Sequence, residues 1–281
     1  IQEAQAVNRV HHPNIVEVFD LIQERLSEGG RIYFVMEFLE GHTLKQVGRM
    51  GPVPLSRIVP LMRQVALALS AAHGVGVVHR DIKPDNIFVI ANAHRGEFAK
   101  VLDFGVARVA SGAEGASRHT QVGQVVGTPL WMAPEQILGQ EVGTTADIYS
   151  FGILAYVMIA RRFPFEGDAA SELVMRRLQS AARSIGPTTC MGEPIPMSLQ
   201  LLLAQCLERE ISKRPRSMDE VALRLEQIEI EMTANKSESA PTVESDHRES
   251  VASRVAGWLG RMSEYAERMG GRSGSSRPPK R

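Results

Sequence analysis

One octapeptide limits what this 281-residue chain can be: His79-Arg80-Asp81-Ile82-Lys83-Pro84-Asp85-Asn86. It places an acid, a lysine two positions on and an asparagine five positions on in one short segment. Such an acid can accept a proton from an attacking hydroxyl, the lysine can neutralise charge on a transferring phosphoryl group, and the amide oxygen can hold a metal ion. The segment therefore predicts phosphoryl-transfer chemistry.

A second motif lies at a fixed distance from the first. Seventeen positions after Asn86 comes Asp103-Phe104-Gly105, where a carboxylate at the end of a predicted strand meets a flexible glycine. Magnesium prefers a carboxylate combined with phosphate oxygens, so this tripeptide suits a metal–nucleotide site. The tripeptide alone would be weak support, but together with the octapeptide at this spacing it strongly indicates such a site.

Three further segments extend the pattern: residues 127–135 (GTPLWMAPE), 147–152 (DIYSFG) and 213–215 (KRP). Five separated motifs in this order make coincidence a poor explanation. Over roughly residues 1–232 the chain resembles the eukaryotic-like (Hanks-type) serine/threonine protein kinase family, in a form typical of bacteria.

The resemblance implies a role for each matching residue. Asp81 would be the catalytic base and Lys83 would contact the γ-phosphate of ATP, while Asn86 and Asp103 would hold Mg²⁺. The implied reaction transfers the γ-phosphoryl group of ATP to a serine or threonine hydroxyl of a protein. Lysine within Asp-Ile-Lys-Pro is typical of that substrate class rather than of tyrosine.

Residues 37–41 resemble the hinge between the two lobes of the family. By this resemblance Met36 is the gatekeeper at the back of the adenine pocket, and backbone groups of Glu37 and Leu39 bond the adenine edge. Phe88 would lie beneath the adenine ring, where an aliphatic residue is more usual.

Regulation by phosphorylation of the activation loop is also implied. Arg80 directly precedes the base, and Arg108 would supply a second cation for a phosphate in the same pocket. Thr120 is the first expected phosphosite and Ser117 the second, although simple loop composition explains both nearly as well. Thr128 lies in the substrate-docking turn, where its hydroxyl would bridge the base and the lysine.

Two other residues are expected to be structural rather than catalytic. Asp147, in a central buried helix, would brace the catalytic loop, and Arg214 would pair with Glu135 of the Ala-Pro-Glu anchor.

The expected fold is α+β, a two-lobed protein kinase-like fold with a complete, mainly helical C-lobe and a partial N-lobe made of the regulatory helix and the last strands. Two β-rich runs, residues 15–22 and 31–38, are predicted to pair antiparallel. Shorter strands are predicted near residues 75–78, 87–90 and 100–102.

Helical periodicity dominates the remainder of residues 1–232. Ser56 is predicted to cap a helix whose apolar side chains are Ile58, Leu61, Met62, Val65 and Leu69. Further helices are predicted over residues 145–160, 171–179, 198–207 and 217–232. Residues 233–281 are predicted to form a flexible tail: a polar linker to residue 250, then one short amphipathic helix carrying Val251, Val255, Trp258, Leu259 and Met262.

The N-terminal part raises two competing explanations. Glu3, nine residues before His12, resembles the regulatory-helix glutamate of the family, but its partner lysine and the glycine-rich loop do not occur before it. The first lysine, Lys45, follows the hinge and cannot substitute. We expect an N-terminally truncated kinase, weakly active or inactive by itself; the alternative is a pseudokinase or regulatory binding module without catalysis. The intact Asp81 and the initial Ile1 favour truncation.

A third class, small-molecule phosphotransferases of related architecture, shares a base-and-metal core. It generally lacks the docking turn and the Ala-Pro-Glu anchor, which here are Thr128 and residues 133–135. Protein substrates are therefore expected, and self-association for autophosphorylation is compatible with that expectation.

Composition limits partners and location. A formal net charge of zero gives no general attraction to nucleic acid, and no apolar run reaches the roughly 18 residues that span a bilayer. The two cysteines, Cys190 and Cys206, have no histidines at metal-ligand spacing, so neither a disulfide framework nor a zinc site is expected. The expected location is the cytoplasm, with membrane anchorage of the full-length protein left open.

Overall fold

The computed structural model describes residues 10–23, 32–92, 96–104, 130–167 and 169–238. The chain separates into two compact units, Ile1–Ser237 and Glu238–Arg281. The first unit contains every residue predicted to act in catalysis. Across the described ranges, no helix combines the length and the apolar composition that crossing a membrane requires.

Two antiparallel strands form the first sheet. β1 (Val18–Gln23) pairs with β2 (Ile32–Met36), which confirms the predicted pairing of the two β-rich runs. β1 begins later than predicted because Ile15 forms a parallel bridge with Val101 and is buried in the core. The first run is therefore divided between this sheet and the edge of the next one.

A second sheet places two motifs side by side. It contains β3 (His42–Thr43), β4 (Ile87–Asn92) and β5 (Gly96–Val101), antiparallel and in that order. The strands predicted in the last two segments are confirmed, and both are longer than expected. In an antiparallel pair the start of one strand lies beside the end of its neighbour. Asn86, just before β4, and Asp103, just after β5, therefore lie at the same end of the sheet.

The strand predicted near residues 75–78 is wrong, because this segment is an irregular connection. The amides of Val75 and Val77 both donate to the carbonyl of Ala72, at 3.2 and 3.0 Å. These groups close the end of a helix and so do not pair with a strand. A run of valines interrupted by glycine has β propensity, but the preceding helix takes its hydrogen bonds.

The α-helices of the described ranges are α1 (Leu44–Met50), α2 (Leu55–Gly74), α3 (Pro134–Ile137), α4 (Thr144–Ala160), α5 (Ala170–Gln179), α6 (Met197–Cys206) and α7 (Met218–Glu238). The helices predicted in the segments of α4 to α7 are confirmed, whereas α1 and α3 are too short for periodicity to reveal. α7 continues past residue 232, so residues 233–238, predicted as linker, are helical. The predicted α+β class is confirmed.

The N-terminus of α2 differs from its prediction. Pro54 occupies the capping position and gives no side-chain cap, while Ser56 lies one residue inside the helix. The amide of Leu55 donates instead to the carboxylate of Glu193, at 3.1 Å. A distant carboxylate thus satisfies an amide that local sequence would leave exposed, so the prediction for Ser56 is wrong. The predicted apolar face is buried, with every one of its five side chains at most 2% exposed.

α4 forms the centre of the helical part. Its residues are buried on nearly all sides, including Tyr149, Phe151 and Tyr156. A helix that is apolar all round must be covered by neighbours, and α2, α3 and α6 all contact it. Gly152 permits the closest approach, because a β-carbon there would lie 2.8 Å from the β-carbon of Cys206 on α6. This buried helix carries Asp147 in its first turn, next to the catalytic loop.

Candidate active site

A buried carboxylate holds the start of the catalytic loop. Asp147 is fully buried and accepts hydrogen bonds from the backbone amides of His79 (2.8 Å) and Arg80 (2.7 Å). The Nε2 atom of His73, in the last turn of α2, lies 2.8 Å from the same carboxylate. Burial of a carboxylate is tolerated when its lone pairs are satisfied, as they are here. The prediction that Asp147 braces the loop is confirmed.

The two carboxylate oxygens of Asp81 have different surroundings. Oδ2 accepts from the ammonium group of Lys83 at 2.6 Å and from Nδ2 of Asn86 at 3.1 Å. Oδ1 is buried and accepts no hydrogen bond from any residue that the structure describes. Buried acceptors are normally satisfied, so an exception at this position suits a group that takes a proton during reaction.

Asp103 is fixed next to this loop through its neighbours. The amide of Leu102 donates to the carbonyl of Asn86 at 2.8 Å. The Nε2 atom of His79 lies 2.7 Å from the carbonyl oxygen of Leu102, and the His79 ring packs on Phe104 with centroids 4.7 Å apart. Asp103 lies between these residues with an exposed side chain. The structure therefore brings together the four residues that the motifs single out for phosphoryl transfer.

Asn86 and Asp103 fit the needs of a magnesium ion. Nδ2 of Asn86 also donates to the Asp81 carbonyl, at 2.9 Å, so its amide oxygen is the atom left for a metal. The Asp103 side chain is exposed. In the described ranges, no three His, Cys, Asp or Glu side chains form a metal-binding group. Magnesium does not need one, since it binds through one or two carboxylates, water and substrate phosphates.

The hinge is fixed by a side-chain network that the sequence did not suggest. The carboxylate of Glu37 accepts from the amide of Glu17 at 2.8 Å and forms an ion pair with Lys100. The Lys100 ammonium also lies 3.3 Å from the carbonyl of Ile15. Lys100 is three residues before Asp103, so one side chain joins the hinge to the strand that carries the metal-binding candidate. No pattern in the sequence marks Lys100, because its partner Glu37 lies 63 residues away.

The residues predicted to contact adenine lie at the hinge and on β4. Met36 ends β2 and is 41% exposed, and Leu39 is half-buried. Gly41 packs directly on β4, because a β-carbon there would lie 2.2 Å from the carbonyl oxygen of Val89 and 3.1 Å from the ring of Phe88. The hinge therefore reaches the strand that carries Phe88, and glycine is required at the point of contact.

Among the predicted regulatory residues, only Arg80 lies in the described ranges. It has a φ of 67°, in the left-handed region that non-glycine residues rarely adopt. The other predicted regulatory and docking residues lie outside the described ranges: Glu3, Arg108, Ser117, Thr120 and Thr128.

The Ala-Pro-Glu anchor forms the predicted ion pair. Arg214 donates to both carboxylate oxygens of Glu135, at 2.6 and 2.9 Å, and both side chains are almost fully buried. The same guanidinium donates to the carbonyl of Thr145 at 2.9 Å, at the start of α4. The pairing predicted for Glu135 and Arg214 is confirmed.

A second buried arginine holds the segment before α3. Arg177, on α5, is 2% exposed and donates to the carbonyls of Leu130 (2.7 Å) and Met132 (2.8 Å). Burial lowers the pKa of its guanidinium. These bonds go to backbone atoms, which sequence spacing does not reveal.

Comparison with known proteins identifies similar sequences. The model of the protein kinase domain family matches residues 1–224. Serine/threonine-protein kinase pkn2 of Myxococcus xanthus is 38% identical over 224 residues, which cover 79% of this chain and 26% of the relative. Pkn3 of the same organism is 33% identical over 244 residues, covering 85% and 43%. The chain thus spans less than half the length of these relatives.

Solved structures share the fold. A crystal structure of Rad53 residues 1–466 in complex with AMP-PNP aligns with a TM-score of 0.62 and 22% identity, covering 82% of this chain and 54% of that one. The kinase domain of PknI from Mycobacterium tuberculosis aligns with a TM-score of 0.58 and 21% identity, covering 80% and 75%. The mixed helix and sheet arrangement of the described ranges is that of these proteins.

Proposed function

Because the chain belongs to the protein kinase domain family, we propose that it transfers the γ-phosphoryl group of ATP to serine and threonine hydroxyls of protein substrates. The observation that carries this proposal is the asymmetric carboxylate of Asp81, with Oδ2 engaged by Lys83 and Asn86 and Oδ1 without a hydrogen bond from any described residue. The named relatives are serine/threonine-protein kinases, which supports the substrate class.

In the proposed reaction Asp81 accepts the proton of the acceptor hydroxyl. The hydroxyl oxygen forms a bond to the γ-phosphorus as the bond from that phosphorus to the bridging oxygen breaks, and ADP leaves. Lys83 supplies positive charge beside the phosphoryl oxygens, and its 2.6 Å contact with Asp81 holds it there before substrate binds. Asn86 and Asp103 would hold Mg²⁺, which when bound would neutralise phosphate charge.

The hinge is proposed to bind the adenine ring. Backbone groups of Glu37 and Leu39 would bond its edge, Met36 would limit the depth of the pocket, and Phe88 would pack against its face. The Glu37–Lys100 ion pair supports this role because it joins the Glu37 side chain to β5. A kinase-like neighbour that binds AMP-PNP shares the fold.

Regulation through the loop is part of the proposal. Arg80 and Arg108 would pair with a phosphate on Thr120 or Ser117, while Thr128 would act in substrate docking and Glu3 in the regulatory helix. Loss of loop phosphate from an active sample on Thr120→Ala, measured by mass, supports the first phosphosite, and an unchanged mass rejects it.

We propose residues 1–232 as the catalytic domain, residues 233–281 as a tail, and the cytoplasm as the location.

A pseudokinase or binding module remains the second candidate. No lysine precedes Lys45 in the chain, and the Lys45 ammonium pairs with Asp85 at 2.5 Å. The chain by itself is expected to transfer phosphate slowly or not at all, because its first lysine, Lys45, follows the hinge and pairs with Asp85.

Long incubation of concentrated chain with γ-labelled ATP, Mg²⁺ and casein tests the proposal. We expect slow labelling of serine and threonine that falls at least about 100-fold in Asp81→Asn, because the base is lost while the shape of the side chain changes little. Equal labelling by Asp81→Asn contradicts the kinase assignment, and label on tyrosine alone contradicts the serine/threonine substrate class. Magnesium-dependent nucleotide binding without any transfer favours the second candidate.

A further inference from the structure

The peptide before the candidate base has a strained conformation. Arg80 adopts a φ of 67°, where the β-carbon of an L-residue crowds the backbone. Such conformations persist only when their surroundings hold them, and they cluster at functional sites. Asp81 follows directly, so the conformation of Arg80 sets the direction in which the Asp81 side chain leaves the backbone.

Among the described residues, one side chain bonds the amide of Arg80 and another bonds its carbonyl. Its amide donates to Asp147, as described above, at 2.7 Å. Its carbonyl accepts from Nε2 of Gln136 at 2.8 Å. The first bond belongs to the bracing of the loop by α4, whereas the second comes from α3, a different part of the chain. Release of either bond frees one end of the strained residue.

Gln136 is itself fixed in a single orientation. Its Oε1 accepts from the amide of Ala133 at 2.9 Å, so its amide nitrogen must face Arg80. The adjacent Glu135 is held by its buried ion pair, which fixes α3. The side chain of Gln136 therefore joins the anchored end of the segment before α3 to the peptide that precedes the base.

We propose that Gln136 is a positioning residue for the phosphoryl transfer. Its carboxamide holds the Arg80 carbonyl, keeps Arg80 left-handed and so directs Asp81 toward the acceptor hydroxyl. The expected effect on the rate of transfer rests on the proposed function. The expected effect on the conformation of Arg80 does not. The proposed role also makes the position of Asp81 depend on the conformation of residues 130–133, because the Gln136 side chain is held by the amide of Ala133.

If Gln136 had only a structural role, its bond with Ala133 would be sufficient and its bond with Arg80 would have no effect on transfer. Gln136→Glu separates the two roles: a carboxylate oxygen can still accept from the Ala133 amide, but the donor to Arg80 becomes an oxygen that repels its carbonyl. Gln140→Glu is the matched control, because it makes the same chemical change on an exposed residue four positions further along.

Two measurements on the full 281-residue chain test the proposal. Backbone hydrogen exchange at residues 79–82, read by mass spectrometry, should speed up about tenfold or more in Gln136→Glu and not in Gln140→Glu. The slow transfer to casein should show kcat reduced about tenfold or more, with KM for ATP within about twofold of the parent. The midpoint of thermal unfolding of Gln136→Glu should equal that of Gln140→Glu.

A second background shows whether strain is the cause. Glycine adopts a positive φ without crowding, so in Arg80→Gly the exchange at residues 79–82 should no longer respond to Gln136→Glu. Unchanged exchange in Gln136→Glu, or the same response in Arg80 and Arg80→Gly chains, overturns the inference. Faster exchange with unchanged kcat also overturns it. If the parent chain transfers no phosphate, the exchange experiment alone decides the inference, because it needs no activity.

Discussion

Glu135 and Arg214 bury opposite charges beside α4, and their contribution depends on both being present. The two groups form paired hydrogen bonds at 2.6 and 2.9 Å, with side chains 3% and 0% exposed. The guanidinium also lies over the ring of Tyr149, 4.9 Å from its centroid. Burial raises the pKa of the Tyr149 hydroxyl, so it remains neutral and adds no negative charge.

Removal of one partner should therefore be costly. Arg214→Met leaves the Glu135 carboxylate buried without its cation, so we expect a loss of about 3 to 5 kcal/mol in the free energy of unfolding. Urea titration measures it. The adjacent Lys213→Met is the control, because its pair with Glu210 is exposed and should leave the urea midpoint unchanged. Equal midpoints for the two variants would contradict a stabilising buried pair.

Single residues were predictable where they belong to spaced motifs. Asp81, Asn86 and Asp103 could be found because the chemistry requires those residue types at short, fixed separations. Gln136 and Lys100 could not, because the first bonds a backbone carbonyl 56 residues away and the second depends on a hinge 63 residues away. Backbone acceptors have no residue type, so such partners leave no pattern in the sequence.

At the scale of elements, the start of α2 shows how tertiary structure replaces a local signal. Its first amide bonds to Glu193, 138 residues away, and Ser56 does not cap it. Glu193→Ala should lower the free energy of unfolding by about 1 kcal/mol, the usual value of a lost cap. Ser56→Ala should change it by less than about 0.5 kcal/mol. Comparison of urea unfolding curves decides, and a larger effect of Ser56→Ala would restore the local cap.

α5 fixes the segment before α3 through one buried guanidinium. Arg177 bonds the carbonyls on both sides of Trp131, whose ring packs on Phe163 with centroids 5.2 Å apart. In a Trp258→Phe background, Trp131 is the sole tryptophan and reports on this segment. Arg177→Met should shift its emission to longer wavelength and increase acrylamide quenching, because the backbone loses both donors.

The neighbouring residue provides the control for this experiment. Arg176 is exposed and pairs with Glu172 one turn earlier, at 2.7 Å. Arg176→Met removes the same charge from the same helix, so Trp131 emission should stay that of the parent. Matching emission from the two variants would mean that Arg177 does not hold the segment.

Whole elements were predictable where periodicity extends over several turns. The apolar spacing of α2 and the helices of the second half were confirmed, since burial of one face needs that spacing. α1 has too few turns to show it, although Thr43 and Gln46 form a capping box at its start. The strand predicted at residues 75–78 was wrong because β propensity there is overridden by the end of α2.

At the scale of the molecule, one cysteine reports on the core and the other on the surface. Cys206 is fully buried against α4, and burial raises the pKa of its thiol to about 12, while Cys190 is exposed. Only thiolate reacts with disulfide reagents, and a raised pKa keeps Cys206 neutral at pH 8. We expect Ellman's reagent to modify one thiol per native chain and two in urea.

The same thiol can follow unfolding of the whole core. In a Cys190→Ser background, the labelling rate of Cys206 should equal the rate of global opening measured by loss of far-ultraviolet circular dichroism. Rapid labelling in native conditions would show that α6 opens independently, in conflict with its packing on α4.

The arrangement of the whole molecule brings Asp81, Asn86 and Asp103 to one edge where a helical core and a small sheet meet. The most direct test is a crystal structure of the chain grown with millimolar AMP-PNP and Mg²⁺. We predict a metal ion within about 2.0–2.2 Å of one oxygen of Asp103 and the amide oxygen of Asn86. Oδ1 of Asp81 should face the γ-phosphate without binding the metal. Nucleotide bound elsewhere, or a metal held by neither residue, would contradict the account.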